Sequence, residues 1–168
     1  ASYPKPATLL VALRGLLGEA TFNEAFHQFI DAWAYKHPYP SDLFNTFEAV
    51  SGRNLDWFWH SWFYEAWTLD HAVASVTARD DGSATVTIRD HGKAFMPARV
   101  TVTRADDSTA QRTVPVSTWL DGTTEATLDL PAGPAIERIE IDAARVFPDI
   151  DRRNNVWTPD DTPPTSAN

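Results

Sequence analysis

The sequence contains no cysteine, so it can form neither a disulfide framework nor a thiolate metal site. No apolar stretch approaches the ~20 residues of a membrane-spanning helix, so no membrane span is predicted. Basic residues are few: 14 lysines and arginines stand against 23 acidic residues, for a formal net charge of −9. A surface of that sign repels phosphate backbones, which excludes nucleic acid as the expected partner.

Apolar and aromatic side chains, by contrast, are abundant. A hydrophobic fraction of 43% and seven tryptophans indicate a folded globular protein and not a disordered one. A chain of 168 residues accommodates one domain or two small ones. Because the spacing of the apolar residues changes near residue 70, we predict two parts of different secondary structure.

Residues 1–69 show a helical period. The apolar run before Gly18 predicts a first helix that ends at this glycine. Thr21 and Glu24 match a capping box for a second helix. Its predicted apolar face comprises Phe22, Ala25, Phe26, Phe29, Ile30 and Trp33. With Ser41 and Asn54 as caps of two further helices, this part is predicted to be a bundle of about four helices that forms one domain.

Residues 70–157 change to a period of two. Apolar and polar residues alternate in short runs, and Asp81-Gly82 and Asp121-Gly122 supply turn signals between them. Six or seven short strands at this spacing predict an antiparallel β-sandwich, with Trp119 in its core. Residues 158–168 are rich in proline and threonine and are predicted to be a flexible tail. The predicted fold class is therefore α+β.

A self-sufficient active site is hard to find in the sequence. The five histidines form no His-Glu-x-x-His zinc motif, and no Gly-x-Ser-x-Gly motif or glycine-rich phosphate loop occurs. Four neighbouring side chains suggest calcium: Asp149, Asp151, Asn154 and Asn155. This stretch lacks the glycine and terminal glutamate of an EF-hand loop, so hydrogen bonds to its own backbone are the simpler expectation.

The tryptophans also allow two interpretations. Trp57, Trp59, Trp62 and Trp67 cannot all share one helical face, so some must cover another surface. Packing in a core or between domains is the default expectation, and it extends to Trp33 and Trp119. A platform for stacking on carbohydrate is the alternative.

An ordered set of residues spans 60 positions and consists of Tyr3, Lys5, Pro6, Ala7, Leu10, Leu13, Arg14, Leu17, Gly18, Phe22, Asp42, Phe47, Glu48, Gly52, Leu55, Trp57, Phe58, Trp59 and Trp62. This set resembles the later helical part of the catalytic domain in aminopeptidase N-like zinc peptidases, the gluzincins. The ending "FPDIDRRNN" is similar to the tail of bacterial members, which extends the likeness to about residue 157.

The resemblance implies the C-terminal portion of a zinc metallopeptidase that removes amino-terminal residues from peptides. Tyr3 matches the family tyrosine whose hydroxyl stabilises the oxyanion. The zinc-binding motifs would lie in a missing N-terminal part of the same protein, so we expect this chain to bind no metal and to be inactive alone. Trp67-Thr68-Leu69-Asp70 departs from the Gly-x-Pro that often follows the tryptophan cluster. Many such peptidases are secreted or periplasmic, which the absence of cysteine permits.

Two other hypotheses stand beside this one. In the first hypothesis, the sandwich is a non-catalytic module that binds a protein or a glycan. An exposed aromatic cluster would favour this hypothesis. In the second, the chain is a stable remnant whose helical half is normally covered by the missing zinc-binding helices. An exposed apolar patch on the first two helices, or self-association through it, would support that reading.

Overall fold

The computed structural model describes residues 4–161, and the chain divides into two compact units. The helical unit extends to Ala66 and includes the short segment Val146–Pro148. The sandwich unit comprises Trp67–Arg145 and the chain from Asp149 onward. The domain limits predicted above (1–69, 70–157 and 158–168) stay predictions.

The helical unit contains three regular α-helices and a shorter one that changes its hydrogen-bonding pattern. They are α1 (Pro4–Leu17), α2 (Glu19–Trp33), α3 (Pro40–Ser51) and α4 (Asp56–Trp59), the last continuing as a π-helix over His60–Tyr64. Within the described residues, no helix is long and apolar enough to cross a bilayer. Helices α1 to α4 confirm the predicted helical part of the chain.

The ends of α1 and α2 share one glycine. Gly18 has φ +86° and donates its N–H to the Arg14 carbonyl at 2.9 Å, so α1 ends where predicted. Gly18 is also the residue immediately before α2. Its backbone conformation turns the chain directly into that helix. The capping box predicted at Thr21 and Glu24 is wrong, since both residues lie inside α2.

Helix α3 begins two residues earlier than predicted. Tyr39 precedes the helix, and Pro40 occupies its first position, where a missing N–H costs nothing. The Asp42 carboxylate accepts the Tyr39 N–H at 2.7 Å. Ser41 is therefore not the cap. Gly52, with φ +63°, ends the helix as predicted and donates its N–H to the Glu48 carbonyl at 2.9 Å.

The core of the helical unit is built largely from aromatic rings. Phe47, Phe58 and Trp59 are buried, and the Phe44 and Trp59 rings stack with their centroids 4.3 Å apart. Offset aromatic contacts of this kind contribute beyond the area they bury. The predicted core position of Trp33 is wrong, because this residue near the end of α2 is only half-buried.

The sandwich unit contains seven strands in two antiparallel sheets. They are β1 (His71–Ala78), β2 (Ala84–Asp90), β3 (Ala98–Arg104), β4 (Thr109–Val114), β5 (Glu125–Leu130), β6 (Ile136–Ile141) and β7 (Val156–Trp157). One sheet has the order β1-β2-β5 and the other β4-β3-β6-β7. A short helix, α5 (Val116–Leu120), connects β4 to β5. The α+β class is confirmed.

Aliphatic residues that alternate along the strands fill the space between the sheets. The inward set includes Ala84, Val86, Ile88, Val100, Val102, Ile139 and Ile141. Trp119 joins them from α5 and is buried, as predicted. Val116 opens α5 and does not continue β4, because Pro115 precedes it and supplies no N–H for a ladder.

Candidate active-site segment

The predicted catalytic residue, Tyr3, lies outside the described residues, and the structure begins one residue later with Pro4 at the start of α1. The first turn of this helix takes part in two side-chain hydrogen bonds, one to a distant residue and one within the helix. The Lys5 ammonium donates to the carbonyl of Glu65 at 2.9 Å, and the Thr8 hydroxyl donates to the carbonyl of Pro4 at 3.0 Å. The start of α1 is thereby linked to the end of the π-helix.

The π-helix His60–Tyr64 is a feature that sequence reasoning missed. A π-helical turn is rare and often marks a functional position. Here the Ser61 hydroxyl is fully buried and donates to the Trp57 carbonyl at 2.7 Å, a carbonyl that also accepts the His60 N–H. Trp62 is buried from the same turn. The sequence signal there is the dense aromatic run Trp57–Tyr64, interrupted by His60 and Ser61.

A small depression of about 280 Å³ lies beside the π-helix. Its walls include two aromatic rings, Phe44 and Trp59, and two carboxylates, Glu48 and Asp56. The Glu48 carboxylate accepts the N–H of Leu55 at 2.9 Å, so it anchors the loop before α4. These carboxylates thus have a structural use, and the depression by itself defines no reaction.

The sandwich unit contains a cluster of buried polar groups around His71. Its backbone N–H donates to the Asp149 carboxylate at 2.9 Å, and the Asn155 amide donates to the His71 carbonyl at 2.8 Å. The imidazole packs against the Trp119 indole with centroids 5.3 Å apart. Burial lowers the pKa of His71 to about 4, against the opposing effect of the Asp70 charge. His71 is therefore neutral near pH 7.

Two carboxyl groups of the sandwich unit have pKa values that are shifted upward, in the direction opposite to that of His71. Burial raises the pKa of Asp90 and of Asp149 above the ordinary value, although hydrogen bonds to both carboxylates oppose the shift. The Asp90 carboxylate accepts the Gly92 N–H at 2.9 Å. The shifts follow from burial in a folded core.

The side chains considered as calcium ligands are used for backbone hydrogen bonds. The Asp149 carboxylate accepts the Asp151 N–H at 3.0 Å, and the Asp151 carboxylate accepts the Arg153 N–H at 3.1 Å. These are the local turns expected of such residues. Asn154 and Asn155 each donate an amide hydrogen to a nearby carboxylate, that of Asp70 and of Asp149 respectively.

The zinc ion that the resemblance implies would need ligands among the histidines and carboxylates that the structure describes. Between residues 4 and 161, no three side chains of the kinds that ligate metals come together. Three protein ligands are the minimum for catalytic zinc. The residues that the structure describes therefore do not fit a catalytic zinc ion.

The tryptophans pack inward. Trp59, Trp62 and Trp119 are buried, while Trp57 and Trp67 are half-buried. Each of the two half-buried rings meets a neighbouring phenylalanine edge-on. Such packing is that of a core, and it counts against a carbohydrate platform made of these rings.

Comparison with known proteins supports the resemblance seen in the sequence. Residues 1–62 match the model of the Peptidase family M1 domain. The structure of Legionella pneumophila aminopeptidase A in complex with aspartic acid is similar in fold, with a TM-score of 0.66 and 15% sequence identity. The match covers 88% of this chain and 17% of that one. A search of curated protein sequences gives no significant match.

These findings show what the chain is similar to. Residues 1–62 match the M1 peptidase domain, and the fold over most of the chain is similar to that of one stretch of an aminopeptidase structure. The predicted resemblance to an aminopeptidase N-like metallopeptidase is confirmed. The chain spans about a sixth of the length of the aminopeptidase A that it matches.

Proposed function

We propose that this chain acts as the C-terminal portion of a zinc-dependent aminopeptidase. The observation that carries the proposal is the family match over residues 1–62, which contains Tyr3 and Lys5. The substrate is a peptide whose amino-terminal bond is hydrolysed. In this proposal the zinc ligands lie in polypeptide other than residues 4–161, among which no three candidate ligands come together.

Tyr3 is the proposed catalytic residue of this chain. Its phenol donates a hydrogen bond to the oxyanion that forms when the peptide carbonyl is attacked. Such a donor is most effective in the transition state, because the negative charge is greatest there. The attachment of Lys5 to Glu65 supports this role, since it holds the backbone two residues further along. The helices that follow form a wall behind the cleft.

The chain alone is expected to be inactive. Purified chain with added zinc should not hydrolyse an aminoacyl chromogenic substrate above the rate of buffer. Circular dichroism on the same sample shows that the lack of activity does not come from unfolding. Zinc-dependent hydrolysis by the chain alone would contradict the proposal.

The role of Tyr3 is tested in the product of the complete coding sequence. Tyr3→Phe removes only the hydroxyl and should lower kcat about 10²–10³-fold with little change in KM, since it removes one oxyanion donor. Tyr35→Phe is the matched control, because Tyr35 is fully exposed in the helical unit. A Tyr3→Phe enzyme with unchanged kcat would contradict the catalytic role, whatever the family.

A further proposal concerns the partners of the isolated chain. We propose that it associates with a second copy through its first two helices. Val11 of α1 and Ile30 of α2 are 50% and 45% exposed. Sedimentation of the wild type and of a Val11→Lys/Ile30→Lys variant is the test. A dimer lost in the variant supports self-association, and a monomeric wild type at high concentration contradicts it.

A further inference from the structure

Strand β1 lies at the edge of its sheet and pairs only with β2. Its first half is nevertheless covered on the outer side. The Val73 N–H donates to the Asn154 carbonyl at 2.9 Å, and the His71 N–H donates to the Asp149 carboxylate at 2.9 Å. A register shift between Val73 and Ser75 then separates this covered half from the rest of the strand.

The second half of β1 presents open backbone groups. The Arg79 N–H donates to the Ser83 carbonyl at 2.8 Å, which makes these two residues a hydrogen-bonded pair. Because such pairs alternate along an antiparallel ladder, Thr77 is the next to bond with β2, and Val76 and Ala78 point their N–H and C=O groups away. Within residues 4–161, no backbone partner occurs for those groups.

A groove of about 700 Å³ lies along this open edge. Val76 and Ala78 form one side, and Ile136 of β6, Trp157 of β7 and Pro159 form the other. The two outward residues of β1 are about 7 Å apart along the strand, so an added strand can make up to four backbone hydrogen bonds. Side chains of that strand would meet apolar walls.

Two loops meet at one end of the groove. Gly82 of the β1–β2 turn, with φ +78°, comes so close to Gly133 that a Cβ at position 82 would lie 2.6 Å from the Gly133 carbonyl oxygen. Arg104 holds the loop that contains Gly133, because its guanidinium donates to the carbonyls of Pro131, at 2.7 Å, and of Pro134.

The charge at the rim favours a cationic ligand. The Arg79 guanidinium lies 3.8 Å from the Asp129 carboxylate, so its charge is largely balanced. Asp80 also lines the groove, and it makes no ion pair with any other described residue. Asp81 and Asp160 follow closely in the chain on either side of the rim. A peptide with lysine or arginine matches this excess of negative charge.

We propose that an extended basic peptide segment binds in this groove by adding a strand to the open half of β1. Main-chain hydrogen bonds to Val76 and Ala78 provide the attachment, and the side chains alternate between the apolar wall and the acidic rim. The proposal concerns the sandwich unit alone and does not depend on the peptidase function.

The probe is the capped hexapeptide Ac-Lys-Val-Lys-Val-Lys-Val-NH₂, added to isotopically labelled protein at millimolar concentration. We expect shifts of the Val76 and Ala78 amide resonances and slower hydrogen exchange at both. Two N-methylated peptides, one methylated at every valine and one at every lysine, distinguish strand addition from simple attraction. Only alternate N–H groups of an added strand face β1, so one of the two peptides should lose binding and the other should retain it.

Substitutions in the protein complete the test. Ala78→Pro removes one outward N–H without removing a bond to β2 and should weaken binding about tenfold, whereas Ala78→Val keeps the N–H and should bind like the wild type. A glutamate-for-lysine peptide should bind about tenfold more weakly at low salt. Absence of amide shifts at Val76 and Ala78, or equal binding of both N-methylated peptides, would overturn the proposal. The peptide comparison holds even if Ala78→Pro fails to fold.

Discussion

The helical unit and the sandwich unit are related to known proteins at different levels. The family match ends at residue 62, within the helical unit, whereas the structural match covers 88% of the chain. The helical unit packs rings such as Phe47 and Trp59, whose shapes constrain their neighbours closely. The sandwich core relies on alternating aliphatic residues, which many sequences can supply. A fold can therefore persist where the residue pattern no longer identifies a family.

The two units also differ in what polar groups they bury. The buried polar residue of the described helical unit is Ser61, a hydroxyl bonded within its own helix. The sandwich unit buries His71, Asp90, Arg104, Asp142 and Asn155. Since buried ionisable groups couple folding to pH, sensitivity to acid is expected in the sandwich unit.

The largest expected effect comes from deleting one core side chain in each unit. Trp59→Ala should lower the free energy of unfolding of the helical unit by about 3–5 kcal/mol, and Ile88→Ala that of the sandwich unit by about 2–5 kcal/mol. Both residues are buried. Hydrogen exchange read separately on α3 and on β2 measures the two losses. Equal loss of protection in both units from either variant would break the comparison.

A second prediction concerns acid. The pKa of His71 is about 4 when folded and 6.5 when unfolded, so protons bind the unfolded state first as the pH falls. The sandwich unit should therefore lose about 2 kcal/mol of stability between pH 7 and pH 5. Asp90 and Asp149, whose pKa values are raised, oppose this loss, because they favour the folded state as they become protonated.

Urea unfolding at the two pH values measures this effect, and His71→Leu is the variant that should abolish it. The pH dependence of the helical unit should not change in that variant. An imidazole that titrates near 6.5 in the folded protein, followed by NMR, would show that His71 is not the cause.

A third effect, similar in size to the second, is expected at Gly15 of α1. A Cβ there would lie 1.9 Å from the Val146 side chain, so Gly15→Ala should destabilise the helical unit by about 1–3 kcal/mol, although alanine favours helices. Val146→Ala in the same molecule should recover part of the loss. Gly18→Ala is the matched control: open space surrounds Gly18, whose φ is +86°, so its cost should be unaffected by Val146→Ala.

The smallest effect is expected for Lys5→Met, which removes the hydrogen bond to the Glu65 carbonyl. A loss of about 0.5–1 kcal/mol in the free energy of unfolding is expected, because the bond is exposed. Thermal unfolding measures it, with Lys93→Met, an exposed lysine of the sandwich unit, as the control. If Lys93→Met lowers the free energy of unfolding more than Lys5→Met does, the hydrogen bond of Lys5 does not anchor the first turn of α1.

Residue patterns predicted the fold well where a local rule applies. Gly18 and Gly52 end helices because they adopt positive φ readily, and Val86 and Ile88 face the core because strand side chains alternate. The patterns failed where two signals compete. Thr21 resembles a cap, but the turn at Gly18 already starts α2. The π-helix at His60–Tyr64 has no pattern of its own, since hydrogen-bond pairing there depends on how the surrounding rings pack.

The sequence alone determined the change from helices to strands, the inward set of the sandwich and the family resemblance that points to Tyr3. These properties depend on the order and spacing of neighbouring residues. Only the tertiary structure decided that His71 is buried and neutral, that Val146 packs against Gly15, and that β1 is covered in one half and open in the other. Each of these features joins residues far apart in the chain, so it arises from packing and not from local preference.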